Sequence, residues 1–325
     1  PTGTSRSTST CSPDMCGIAG LIYADANGGR DVGRDITRML QSMKHRGPDS
    51  TGYALFGPRT SSYVMRFTLA DANDPRDFEF ADRIQRNRFL VEQRLRRYGA
   101  HIHDIEEETE YAYRVTFDYG GDLKRLADLV EDVPGAEVLS LGHALEIIKD
   151  LGDAESVATQ YDLGGFRGTH GIGHVRMATE SDVDISGAHP YWAYPFNDVA
   201  VVHNGQLTNY FQWKRRLERS GHRFNSECDS EIIAVYLAEK MSDGASLEDA
   251  MRESLDELDG VFTYIAVTED ALGVAKDEMA AKPLVLYEGD DMVALASEEI
   301  AIRAVLDREI DTYDPFEGEV MVWSR

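Results

Sequence analysis

Four short apolar runs near the C-terminal end, Phe262 to Thr268, Leu272 to Ala275, Leu284 to Tyr287 and Met292 to Ala296, constrain this chain most. They follow one another as strands with no helical pattern between them. Parallel neighbours need long crossovers, usually helices, so consecutive strands favour antiparallel pairing. Further strands are predicted at Cys16 to Tyr23, Gly52 to Phe56, Gly171 to Met177 and Val199 to His203. Helical spacing places Ile36, Met39, Leu40 and Met43 on one face, and predicts helices over Ser230 to Lys240 and Ala250 to Leu258. This mixture predicts an α+β fold of stacked sheets flanked by helices, not a doubly wound parallel sheet.

The character changes from about Asp77 to Tyr161. A basic helix is predicted over Ala81 to Tyr98, a strand over Tyr111 to Tyr119 and a helix over Leu123 to Val130. A strand over Glu137 to Leu141 and a helix over Leu145 to Lys149 follow. This stretch, about 77–161, reads as an inserted α/β block. Residues 1–15 are Ser/Thr-rich and are expected to be a disordered extension or a propeptide.

At 325 residues the chain has ample length for a buried core. Its net charge of −25 argues against nucleic acid or an anionic membrane as a partner. No apolar run is long enough to span a bilayer, and residues 1–14 lack the apolar core of a signal peptide. Three scattered cysteines, Cys11, Cys16 and Cys228, do not make a disulfide framework, and a reducing cytoplasm is expected.

Four features could carry chemistry. Cys16 opens an apolar strand and reads as a buried structural residue or as a nucleophile. A thiol needs a base to become thiolate, and a cysteine at a chain terminus carries its own in the α-amine. Met15 is what a start residue, later removed, would look like. Arg176, near a strand end, suits a surface ion pair or a bidentate grip on a carboxylate. Asn204-Gly205 is a tight turn or a pair of oxyanion donors. Asp229 and Ser230 precede a helix and read as an N-cap, or Asp229 as an ammonium site. His101 and His103 would share a strand face like metal ligands, but the acidic run after them and the lack of a distant ligand favour a solvated strand end, and no metal is expected.

Taken in order, Cys16-Gly17-Ile18, Arg46-Gly47-Pro48-Asp49-Ser50, Gly173 to Thr179, Ala188-His189-Pro190, His203-Asn204-Gly205 and Asp229-Ser230-Glu231 resemble the class II glutamine amidotransferases. These are N-terminal nucleophile hydrolases. Asp277, Lys282-Pro283-Leu284 and Ala296-Ser297-Glu298 look like later strands of the same domain. Gly173 to Ser181 and the inserted block are similar to the amidotransferase subunit of N-methylglutamate synthase, of a glutamate-synthase-like group. Met177 and Glu180 depart from the wider family, where Trp and His are common.

The resemblance implies a four-layer αββα sandwich of two antiparallel sheets over 16–325. It implies a glutaminase in which Cys16 attacks the side-chain amide of L-glutamine, forms a γ-glutamyl thioester and releases ammonia to a separate synthase. Asn204 and Gly205 would form the oxyanion hole. Arg176 and Asp229 would bind the α-carboxylate and α-ammonium, Thr179 would line the pocket and Arg46 would order the loop around Cys16. His174, His189 and His203 are expected to be structural. No cofactor is expected in this chain, whereas flavin and an iron–sulfur cluster are expected in the partner of a hetero-oligomer. Two alternatives stand beside this: a stand-alone amidohydrolase of the same fold, and a non-catalytic regulatory subunit should residues 1–15 stay attached, since they acylate the amine the mechanism needs.

Overall fold

A computed structural model describes residues 16–25, 29–177, 185, 187–193 and 198–325. The expectation for residues 1–15 lies outside them. The described chain runs through β1 (Gly17–Tyr23), α1 (Val32–Ser42), β2 (Ser50–Phe56), β3 (Tyr63–Thr68), α2 (Phe80–Arg97), β4 (His101–Glu107) and β5 (Ala112–Asp118). It continues through α3 (Leu123–Glu131), β6 (Glu137–Gly142), β7 (Leu145–Leu151), α4 (Ala154–Gln160), β8 (His170–Arg176), β9 (Tyr191–Trp192), β10 (Ala200–Leu207) and α5 (Tyr210–Arg219). The last elements are α6 (Asp229–Ser242), α7 (Leu247–Glu257), β11 (Gly260–Val267), β12 (Ala271–Lys276), β13 (Val285–Glu288), β14 (Met292–Ala296), α8 (Glu299–Arg303) and β15 (Val320–Ser324).

Two antiparallel sheets form the centre. The first has the order β13-β14-β1-β8-β2-β7 and the second β15-β12-β11-β10-β9. Period-two alternation along the strands builds the layers. Ala200, Val202, Ile265, Val267, Leu272 and Val274 of the second sheet share a core with Ile18, Ile172 and Leu295 of the first. The alternate positions Val201, Tyr264, Ala266 and Ala275 point the other way, into a second core with Trp213, Ile233, Leu237 and Met251 of α5, α6 and α7. On the outer face of the first sheet, Ile36 and Leu40 of α1 lie directly over Gly173. The result is helices, sheet, sheet, helices. Burial of the α1 stripe Ile36, Met39, Leu40 and Met43 is complete, as its spacing predicts.

The third sheet, β4-β5-β3-β6, forms a lobe with α2 and α3. Its extent differs from the block read at about 77–161. The sheet already includes β3, and the segment after Gly142 returns to the main body. Leu145 to Lys149, predicted as a helix, is strand β7 and pairs with β2 along its full length. The run Leu145, Ile147, Ile148 fits either period over so few residues, and an open edge of the first sheet decides it. Among the described residues no helix is long and apolar enough to cross a membrane.

Candidate active site

Four separate chain segments meet where β1 and β10 face each other. Cys16 precedes β1, and the next residue, Gly17, pairs with Val175 of β8. This puts Cys16 at the strand end that carries Arg176. Cys16 is buried, at 4% exposure. Its main-chain carbonyl accepts from two cationic or amide side chains: Arg46 Nε at 3.1 Å and Asn204 Nδ2 at 3.3 Å. The cysteine is thus held at once from the turn after α1 and from the second sheet.

Arg46 lies in the turn after α1. Its Nη1 also meets Glu298 Oε1 at 2.7 Å. Burial pushes the Glu298 carboxyl up, but Arg46 and His45 beside it outweigh that and hold it below the usual range. The neighbouring Ser297 Oγ accepts from Ile18 N at 3.0 Å. Ser297 and Glu298 were given no role from sequence. Their signal was their place in the Ala296-Ser297-Glu298 triplet. Gly47 packs against the Arg176 backbone so closely that a Cβ there would lie 2.4 Å from the Arg176 carbonyl carbon. The Arg176 carbonyl in turn accepts from Asp49 N at 3.1 Å. Arg176 is itself buried.

Asn204 and Gly205 are not a hairpin turn. They lie inside β10, opposite Thr263 and Phe262 of β11. Asn204 shares the inward face of Ala200 and Val202 and so points toward β1. Gly205 has φ 137°, and a Cβ there would sit 2.1 Å from the Val261 carbonyl oxygen. Only glycine fits this kink in the strand. A buried amide donor next to a kinked backbone can stabilise developing negative charge.

Asp229 is the first residue of α6, and Cys228 occupies the N-cap position. The cap reading of Asp229 or Ser230 is therefore corrected. The Asp229 carboxylate accepts instead from Leu207 N at 2.6 Å, tying the helix start to the end of β10. Ser230 Oγ lies 2.8 Å from His203 Nδ1 and 3.1 Å from His189 Nε2. His174 stacks on His189 with ring centroids 4.1 Å apart. Burial pushes all three imidazoles down, His174 to about 3, with the Arg176 guanidinium adding to it for His174 and His189. Thr179 lies outside the described residues.

The structure thus joins Cys16 directly to Arg46 and Asn204, with buried Arg176 packed against the Gly47 turn and the Asp229 carboxylate at the end of β10. Residues 174–304 match the glutamine amidotransferase domain family. A protein of Methanothermobacter thermautotrophicus named for glutamine amidotransferase activity is 38% identical over 95% of this chain and 99% of its own length. The glutamine amidotransferase-like protein GlxB of Rhizobium meliloti is 33% identical over 95% of this chain and 98% of its own. Among solved structures, the glutamine phosphoribosylpyrophosphate amidotransferase of B. subtilis superposes with a TM-score of 0.58 at 19% identity, over 95% of this chain. This chain spans about half of that enzyme, 47% of its length, and the likeness at that identity is one of fold.

Proposed function

The chain belongs to the class II glutamine amidotransferases, and from that premise we propose that it releases ammonia from glutamine at Cys16 and passes it to a separate glutamate-synthase-like subunit. Cys16, as the first residue of the mature chain, uses its α-amine as base. Its Sγ attacks the side-chain amide carbon. Asn204 and Gly205 stabilise the oxyanion, the C–N bond breaks and the protonated amine gives its proton to the leaving ammonia. The γ-glutamyl thioester left on Sγ is hydrolysed by water to glutamate. Arg176 and Asp229 hold the two charged ends of the amino acid, which leaves the amide at the thiol.

The observation that carries this reading is the double grip on the Cys16 carbonyl by Arg46 and Asn204, which fixes the thiol-bearing residue against the proposed oxyanion donors. The separate acceptor subunit rests on the resemblance to the amidotransferase subunit of N-methylglutamate synthase. The resemblance to N-methylglutamate synthase assigns flavin and an iron–sulfur cluster to that partner.

Glutamate production by the Asp229→Asn variant tests the substrate grip. A charge-assisted bond to the α-ammonium contributes about 1.5–3 kcal/mol, so KM for glutamine should rise about 10–100-fold with kcat changed much less. An unchanged KM, or wild-type protein without glutaminase activity, overturns the assignment.

A further inference from the structure

On the lobe, in a sheet separate from the two that hold Cys16, β4 is the outer strand. His101 lies directly opposite Asp118 of β5. The register then slips between Ile102 and Asp104, so His103 is the extra residue of a bulge. A bulge re-aims the side chain it carries. His103 Nε2 comes to 2.9 Å from Asp118 Oδ2, and the His101 and His103 rings stand 5.0 Å apart. One nitrogen of each ring and one Asp118 oxygen all lie within 4.8 Å of one another. The other Asp118 oxygen, Oδ1, accepts from Ser62 Oγ at 2.7 Å.

We propose that His101, His103 and Asp118 form a binding site for a divalent transition-metal cation of the zinc class. Two imidazoles and a carboxylate suit zinc and its neighbours. Calcium and magnesium prefer all-oxygen shells, and no thiolate is present to select copper(I). Ligand atoms each about 2 Å from a common ion are at most about 4 Å apart. Small rotations of three exposed side chains close the remaining gap, with the cation replacing the proton between His103 and Asp118. Ser62 holds the free carboxylate oxygen in the manner of an outer-shell partner. The remaining coordination positions face solvent. Charged side chains on an outer strand also serve to block edge pairing, and that role needs no metal.

The test is a calorimetric titration of the full chain with zinc chloride, after thiol alkylation with iodoacetamide and in excess magnesium. Alkylation removes the cysteines as competing ligands, and magnesium fills the carboxylate surface. The expected result is one zinc per chain. Binding should weaken at least tenfold in His101→Ala, His103→Ala and Asp118→Asn, since loss of a mere outer-shell partner already costs about 10–100-fold. Unalkylated variants should keep their thermal stability and glutaminase activity. No zinc bound by the wild type, or unaltered binding in the three variants, overturns the proposal.

Discussion

Asn204 shows how one residue can be ambiguous in sequence and definite in place. Asn-Gly after an apolar strand is the ordinary signal of a tight turn. Here the strand continues through it, because β11 pairs with β10 on both sides of the dipeptide. That pairing is long-range, and no local pattern contains it. Arg176 and Cys16 were legible in the same limited way: their types suited the chemistry, but their proximity comes from the β1–β8 register. His174, His189 and His203 are all buried, with His174 stacked on His189 and His203 beside Ser230 of α6. The oxyanion role of Asn204 makes a definite prediction. Asn204→Ala should lower kcat for glutamine about 10²–10³-fold, the usual cost of one lost oxyanion donor, with a much smaller change in KM. Steady-state kinetics on the folded variant checks this, and a retained kcat would remove Asn204 from the mechanism.

Among the elements, β7 is where sequence reading failed and where the structure is most informative. Its apolar positions fit a helix, yet it closes the edge of the first sheet and also anchors the lobe. Arg66 of β3 and Arg114 of β5 are direct cross-strand partners, an arrangement that repels by itself. Glu146 of β7 bridges the two, with Oε2 at 2.7 Å from Arg66 Nε and 2.8 Å from Arg114 Nε. Burial pushes the Glu146 carboxyl up, but the two guanidinium groups outweigh it and hold the carboxyl below its ordinary range. Arg66 also pairs with Glu108, and Arg114 Nη1 meets Glu106 Oε1 at 3.0 Å, so removing the Glu146 charge weakens a buried network that keeps two other carboxylates. Glu146→Gln should therefore destabilise the protein by about 1–3 kcal/mol at pH 7, read by urea unfolding. The folded value lies below the unfolded one, so the contribution is complete above the usual carboxylate range and is lost as pH falls through the lowered value. The gap between wild type and variant should shrink on that acid limb. A gap that is absent at pH 7, or that widens in acid, contradicts the anchor.

For the whole molecule, the layers were readable because consecutive strands and amphipathic helices leave few ways to bury both faces of two sheets. The extent of the lobe was not, since β3 and β7 look alike in composition and only pairing sends them to different sheets. The same stacking brings Cys16, Arg46 and Asn204 into contact, with Arg176 at the neighbouring strand end. The Cys16 carbonyl bonds to Arg46 and Asn204 are its most local record. The central claim is that Cys16, with a free α-amine, carries the glutamyl group. Mass spectrometry of active protein, acid-quenched during glutamine turnover, tests it most directly. The predicted result is a chain beginning at Cys16 with a γ-glutamyl group on its sulfur. A fully active chain that retains residues 1–15, or a γ-glutamyl group on any other residue, would contradict the account.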